Sequence, residues 1–305
     1  SLGMTAGRRG YNAHSMPDPV ITPLRTPGRA PRVLTIDAEE WFHVCGVDAY
    51  SDPRRWDALA PRVETTVAWL LDRLDRGGHR ATFFFLGWIA HRYPDLAREA
   101  ARRGHEIGVH GDLHRRADDM TPAEFRDDAV LARGKIARAA GISPTAYRAA
   151  EWSIRHPNDP ALSALASVGF ACDASMTCVP PLGRADNPAG PCRIDFVSGS
   201  ILEVPPLTGR LIGRPLPMGG GWPFRILPVS KLSRAEEAFR ERGHPAVFTF
   251  HPWELDAEHP PMRGLPPLAR LVHFAGLAGL PARFERWLAQ ERTVALEDAV
   301  GLLPA

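Results

Sequence analysis

Between residues 32 and 250, short apolar runs alternate with segments of helical periodicity, a pattern that few architectures accept. Val63, Val67, Leu70, Leu71 and Leu74 recur at helical spacing until Gly77 and Gly78 end the run. Residues 80–86 form a buried-strand pattern, 94–104 a helix opened by Pro94, and 106–109 another strand. Thr121-Pro122-Ala123-Glu124 starts a helix, with Thr121 as N-cap, Pro122 in the first turn and Glu124 three residues on. Gly141 ends it. Strands over 146–149, 170–173, 201–204 and 246–250, with helices over 159–168 and 230–243, continue the alternation. The expected fold class is α/β, either a barrel or a doubly wound sheet.

Polar residues at strand ends favour the barrel. Asp37, His110, Arg148, Asp173 and His251 each fall at or just past the C-terminal end of an expected strand. In barrels such residues converge on one catalytic face. Asp37 and Glu39 are two apart, so in extended backbone both carboxylates face the same side. His110 and His114 stand four apart around Gly111, which excludes the HExxH arrangement. Two imidazoles and a carboxylate suit a catalytic divalent ion with one position left for water, and Asp37 remains free as a base.

The 305 residues allow one large domain or two small ones. With 37 basic and 35 acidic residues, the charge balance gives no reason to expect nucleic acid or an anionic membrane as a partner. The apolar stretch at 81–90 is too short to cross a bilayer. No signal-peptide pattern opens the sequence, and Cys45, Cys172, Cys178 and Cys192 lack zinc-knuckle spacing, so reduced thiols and a cytoplasmic location are expected. The Pro, Gly and Arg content of residues 1–31 indicates a flexible N-terminal arm, and residues 178–224 resemble long loops inserted in the domain.

Five segments in order resemble the polysaccharide deacetylases of the NodB-homology type, carbohydrate esterase family 4. They are Thr35-Ile36-Asp37-Ala38-Glu39, His110-Gly111-Asp112-Leu113-His114, Tyr147-Arg148-Ala149-Ala150-Glu151, Cys172-Asp173-Ala174-Ser175 and Phe250-His251-Pro252-Trp253-Glu254. The Gly219–Arg225 loop and the tail from Leu271 to Ala299 are similar to a subgroup associated with exosortase-linked exopolysaccharide loci.

The resemblance implies a distorted (β/α) barrel of about seven strands over 32–256, with a helical extension over 257–305 packed on it. It implies that Glu39, His110 and His114 hold Zn²⁺, or another ion such as Co²⁺ or Ni²⁺. Asp37 would be the base, oriented by Arg148, and His251 the acid, kept protonated by Asp173. A backbone N–H near Glu151 would face the oxyanion, with Trp152, Trp222 and Arg225 contacting sugar. The implied activity is removal of N-acetyl groups from a bacterial polysaccharide or its precursor, with association with polysaccharide assembly machinery as a possible partner relationship. Two departures stand out: Ala150 occupies a position where relatives carry Pro, and Thr249 one where many carry an apolar residue beside the acetyl methyl. A deformylase or amidase acting on a small amide, and an inactive carbohydrate-binding barrel, remain as alternatives.

Overall fold

The computed structural model describes residues 17–256 and 258–304. Among these residues eleven strands form: β1 Val20–Pro23, β2 Arg32–Ala38, β3 Thr82–Phe85, β4 Glu106–Val109, β5 Ala146–Tyr147, β6 Cys172–Asp173, β7 Cys192–Phe196, β8 Gly199–Glu203, β9 Thr208–Leu211, β10 Arg214–Pro217 and β11 Ala246–Phe250. The helices are α1 Val63–Gly77, α2 Gly87–Arg92, α3 Pro94–Arg102, α4 Pro122–Ala140 and α5 Pro160–Ser167, followed by α6 Gly221–Ile226, α7 Val229–Arg240, α8 Pro267–Phe274, α9 Leu280–Leu288 and α10 Leu296–Val300. Nine strands make one sheet in the order β1-β7-β8-β6-β5-β4-β3-β2-β11. From β8 through β11 along that order every neighbouring pair is parallel, while β7 pairs antiparallel with both β8 and β1.

Parallel strands buried on both faces explain the near-continuous apolar runs in the sequence. Leu34 and Ile36 of β2 and Phe83 and Phe85 of β3 pack with Val67, Leu70 and Leu74 of α1. Each such side chain, fully removed from water, contributes about 1.5–3 kcal/mol. On the opposite face, Val33, Phe84, Ala146, Cys172 and Val247 form a second cluster, which Leu296 and Ala299 of α10 complete. Residues from strands distant in the sheet therefore meet, and the sheet curls.

Its ladder is not closed. Among the described residues no strand pairs β11 with β8 or β1. Single backbone hydrogen bonds bridge the gap instead, from Leu207 N–H to Val247 O (3.0 Å) and from Thr249 N–H to Gly219 O (2.7 Å). The distorted barrel expected from sequence is not demonstrated: in hydrogen-bonding terms the strands form an open mixed sheet.

Two further expectations need correction. Residues 178–224 are not simply loops: they hold β7 to β10 and α6. β8 overlaps the strand expected over 201–204, whereas β7, β9, β10 and α6 were not expected. Of the expected arm, residues 1–16 lie outside the described residues, but β1 pairs with β7, and Leu24, Thr26 and Ala30 are buried. The α4 capping box at Thr121 and Glu124 forms as anticipated, and Gly141 closes the helix at φ 77°. No helix among the described residues is long and apolar enough to cross a membrane.

Candidate functional site

Because β2, β4, β5, β6 and β11 run parallel, their C-terminal ends share one edge, and the residues flagged at strand ends lie along it. The chain leaving β2 is anchored by Glu40, whose carboxylate accepts the backbone N–H groups of Arg62 (2.8 Å) and Val63 (3.0 Å) at the start of α1. The His110–His114 segment is a turn rather than a helical face. Gly111 takes φ 78°, a conformation that any Cβ would strain, and His114 takes φ 53°. Asp112 clamps this turn to α4 by accepting hydrogen bonds from Lys135 Nζ at 2.7 and 2.9 Å.

Glu39, His110 and His114 converge, each offering a ligand atom within 4.8 Å of the others. Glu39 Oε2 is 2.9 Å from His114 Nε2 and 3.7 Å from His110 Nε2. His110 Nδ1 lies 2.8 Å from the Arg148 carbonyl oxygen, an acceptor only, so Nδ1 carries the proton and Nε2 presents its lone pair to the cluster. His114 Nδ1 faces Cys45 Sγ at 3.6 Å, a contact with no signal in the sequence. Burial alone would raise the Glu39 carboxyl, but the imidazoles of His114, His251 and His110 hold it well below the usual carboxylate range.

The fit to a divalent ion rests on Glu39. Its Oε2 is buried without a hydrogen-bond partner, aimed between two imidazole nitrogens. An orphaned carboxylate oxygen beside two His donors is a donor set for zinc or a similar transition metal.

Asp37 flanks the cluster. Its Oδ1 accepts a 2.8 Å hydrogen bond from Arg148 Nη1, and its Oδ2 is 3.8 Å from His251 Nε2. Arg148 is fully buried, also donates to Thr35 Oγ1 at 2.7 Å and to the Ala174 carbonyl at 3.1 Å, and lies over the Phe84 ring. His251 Nε2 is also 3.8 Å from Glu39 Oε1, which accepts a 3.1 Å hydrogen bond from Trp253 Nε1. Asp37, Glu39, His110, His114, His251 and Trp253 line a cleft of about 340 Å³, to whose wall His43, Ala149, Glu151, Trp152 and His273 also contribute.

Residues 56–172 match the family model described as polysaccharide deacetylase, and residues 174–300 match one described as a domain of unknown function, DUF3473. Residues 56–172 are thus similar to polysaccharide deacetylases. Two proteins of Bacillus cereus, both named peptidoglycan-N-acetylglucosamine deacetylase, are similar to this chain. One is 32% identical over 79 residues, covering 26% of this chain and 29% of that protein. The other is 29% identical over 101 residues, covering 33% of this chain and 37% of that protein. The alignments thus span about a third of each relative's length. A crystal structure of a candidate polysaccharide deacetylase from Mycobacterium smegmatis is similar in fold, with a TM-score of 0.55 at 22% identity, covering 91% of this chain and 94% of that one.

The structure places three of the expected site residues, Asp173, Arg225 and Trp222, away from their expected contacts. Asp173 does not touch His251. It is fully buried, accepts hydrogen bonds from Ser175 Oγ (2.6 Å) and Ser175 N–H (3.2 Å), and sits opposite Glu203 in the ladder. Ser175 Oγ in turn accepts the Ala149 N–H at 2.7 Å, so Asp173 braces the turn after Arg148. The partner of His251 is Glu254, whose Oε2 lies 3.0 Å from Nδ1 and accepts the His251 backbone N–H at 3.2 Å. Burial would lower the imidazole pKa, but the Glu254 hydrogen bond and the charges of Glu39, Glu254 and Asp37 raise it to about 9.

Arg225 does not line the cleft. It is buried behind it, donating to the carbonyls of His273 (2.9 Å) and Val272 (2.8 Å), with Nη1 3.4 Å from Glu254 Oε1. Trp222 lies outside the cleft wall as well, in the first turn of α6. Glu151 and Trp152 do line it, both at positive φ (52° and 49°), with Glu151 paired to Arg116 at 2.8 Å. Thr249 is buried against Thr35 Oγ1 at 3.1 Å and is not part of the cleft wall.

The missed residues are Glu254, Trp253, His43 and His273. Glu254 had a signal: Pro252 in the first turn and Glu three residues after His251 is a capping-box pattern, which folds the carboxylate back onto the histidine. His273 comes from α8 and stacks on Trp253 at 4.6 Å, a long-range contact that no local pattern announces.

Proposed function

We propose that this protein is a metal-dependent N-deacetylase acting on an N-acetylated amino sugar in a polysaccharide, oligosaccharide or polysaccharide precursor. The observation that carries the reading is the placement of Asp37 and His251 beside the Glu39, His110 and His114 cluster. Zn²⁺, or a similar ion such as Co²⁺ or Ni²⁺, would be held by those three side chains and would supply Lewis acidity toward the amide carbonyl and the attacking water.

The chain's own residues account for the proton transfers. Asp37, held at Oδ1 by Arg148, leaves Oδ2 free to accept the proton of the attacking water. His251, charged through its pairing with Glu254, donates from Nε2 to the leaving amine nitrogen. The two groups are 3.8 Å apart, so one substrate atom held between them is within reach of both. Acetate and a free amino sugar result. The exopolysaccharide-associated subgroup, and association with assembly machinery, are the proposed context on the strength of the resemblance in the 219–225 loop and the C-terminal tail.

Acetate release from N-acetylglucosamine oligomers and from N-acetylated exopolysaccharide, after chelation and re-addition of Zn²⁺ or Co²⁺, tests the reading. The expected result is metal-restored release that both Asp37→Asn and His110→Ala abolish. Metal binding without release from any sugar, but with turnover of a small formamide or acetamide, would transfer the site to small-amide chemistry. Failure to bind metal at all would sink the assignment.

A further inference from the structure

The balanced overall charge conceals a local asymmetry. From Glu203 to Glu236 the intervening chain has no acidic residue, while it carries Arg210, Arg214, Arg225, Lys231 and Arg234. Only Arg225 is turned inward. The others cluster where the β9–β10 hairpin packs on α7. There a hollow of about 470 Å³ is lined by Arg210 from β9 and by Lys231, Arg234 and Arg242 from α7 and the turn after it, with no carboxylate in its wall. Among the described residues none of these four, nor Arg214, takes part in a salt bridge. Like charges gathered without counter-charges repel one another unless an external anion offsets them.

The hairpin tip is an independent anomaly. β9 and β10 are joined by Ile212 and Gly213, both at positive φ (50° and 74°). Such a turn favours Asn or Asp before Gly, and a β-branched residue there is an outlier. Ile212 is nonetheless 94% exposed. Neither the turn geometry nor contact with water favours isoleucine at this point. Leu211, Pro215 and Leu216 lie beside it around a shallow hollow that also includes Arg214.

We propose that the β9–β10 hairpin and the N-terminal half of α7 form a docking surface for an anionic lipid bilayer, with Ile212 entering the boundary between headgroups and acyl chains. Arg210, Lys231, Arg234 and Arg242 then meet lipid phosphates, their aliphatic stems lying along the apolar layer. An apolar tip ringed by unpaired cations matches interfacial binding. A soluble polyanion would use the cations but gain nothing from Ile212, and the core of a protein interface is depleted in charged residues, whereas here the cations surround the exposed apolar tip.

Flotation of the full chain with phosphatidylcholine vesicles, with and without phosphatidylglycerol, tests this at low and high salt. The expected result is binding only to the anionic vesicles, lost at high salt, and weakened at least about tenfold by Ile212→Asn and by Lys231→Gln with Arg234→Gln. Ile212→Asn creates the sequence that the turn prefers, so it tests the tip without threatening the fold, and melting curves verify this. No binding to anionic vesicles overturns the proposal. So does binding that Ile212→Asn leaves unchanged and that soluble dextran sulfate displaces, which would assign the cations to a soluble polyanion. The assay needs no turnover, so its outcome is separate from that of the deacetylase reading.

Discussion

Glu254 Oε2 lies 3.0 Å from His251 Nδ1, and the same carboxylate is backed by Arg225 Nη1, 3.4 Å from its other oxygen. His251, the proposed acid, is therefore oriented from within its own turn and from α6, not from strand β6. Glu254 itself sits below its ordinary range: burial opposes ionisation, but the hydrogen bond and charge of His251 overcome it.

This pairing should set the alkaline limit of the proposed reaction. Although burial lowers it, His251 is raised to about 9, first by the Glu254 hydrogen bond, so its acid form should persist through neutral pH and be lost as pH rises through that value. An ion held by Glu39 would offset that carboxylate's share and draw the limb lower. Glu254→Gln removes the largest favourable contribution, so the alkaline limb moves down toward 6.5, the ordinary histidine value. Activity at about pH 8 should then fall by roughly tenfold or more, within the range that a misplaced general acid costs. The pH profile of acetate release for Glu254→Gln, beside Asp173→Asn, separates the two candidates. A shift in the Asp173 variant alone would return the orienting role to β6.

Metal binding and proton transfer should separate cleanly at Asp37. Its carboxylate is held by Arg148 and is not one of the three converging ligands. Asp37→Asn should retain about one zinc per chain and lose on the order of 10²–10⁴-fold in turnover. His110→Ala or Glu39→Ala should lose the zinc itself, along with the ligand-dependent rise in melting temperature. Elemental analysis after dialysis, paired with melting curves with and without zinc, checks both halves. Zinc lost from Asp37→Asn would make Asp37 a ligand rather than a base.

The sequence revealed the elements and the cluster because both obey local rules. Thr121, Pro122, Glu124 and Gly141 mark the ends of α4 in the backbone chemistry of caps, and the structure places them so. Parallel strands carry Asp37, His110, Arg148 and His251 to one edge by topology alone, so their convergence followed from the strand order. What stayed hidden depends on tertiary placement. Asp173 and Glu254 are both acids near the ends of strands, and only the turn at Pro252 decides which reaches His251. Arg225 and Trp222 sit in one short helix whose rotation buries the arginine and turns both away from the cleft. Cys45 approaches His114 across a separation of 69 residues, beyond any pattern of spacing.

The α4 cap offers a stability test independent of the site. Thr121 Oγ1 accepts the Glu124 N–H at 3.3 Å, and Glu124 Oε2 accepts the Thr121 N–H at 2.8 Å. Thr121→Ala breaks the first bond and should cost about 1 kcal/mol, with zinc affinity unchanged. Urea unfolding monitored by circular dichroism measures this, and a drop in zinc affinity would show that α4, through Lys135 and Asp112, transmits strain to the histidine turn.

Asp173 and Glu203, both fully buried on adjacent parallel strands, raise a different question of pH. Burial, followed by the charge of Asp173, pushes the Glu203 carboxyl well above its ordinary value, so it keeps its proton and donates it to Asp173. An acid whose folded pKa is raised binds more protons in the folded state than in the unfolded state. Its stabilisation is therefore full below the unfolded value of 4.5 and declines as pH rises above it toward the folded value. Glu203→Gln keeps a neutral donor of similar shape and removes that dependence. The variant should match wild type near pH 5 and exceed it near pH 8, as read from urea unfolding midpoints at the two pH values. Equal loss of stability at both would mean that Glu203 is needed as a charge, and that the carboxyl pair shares no proton.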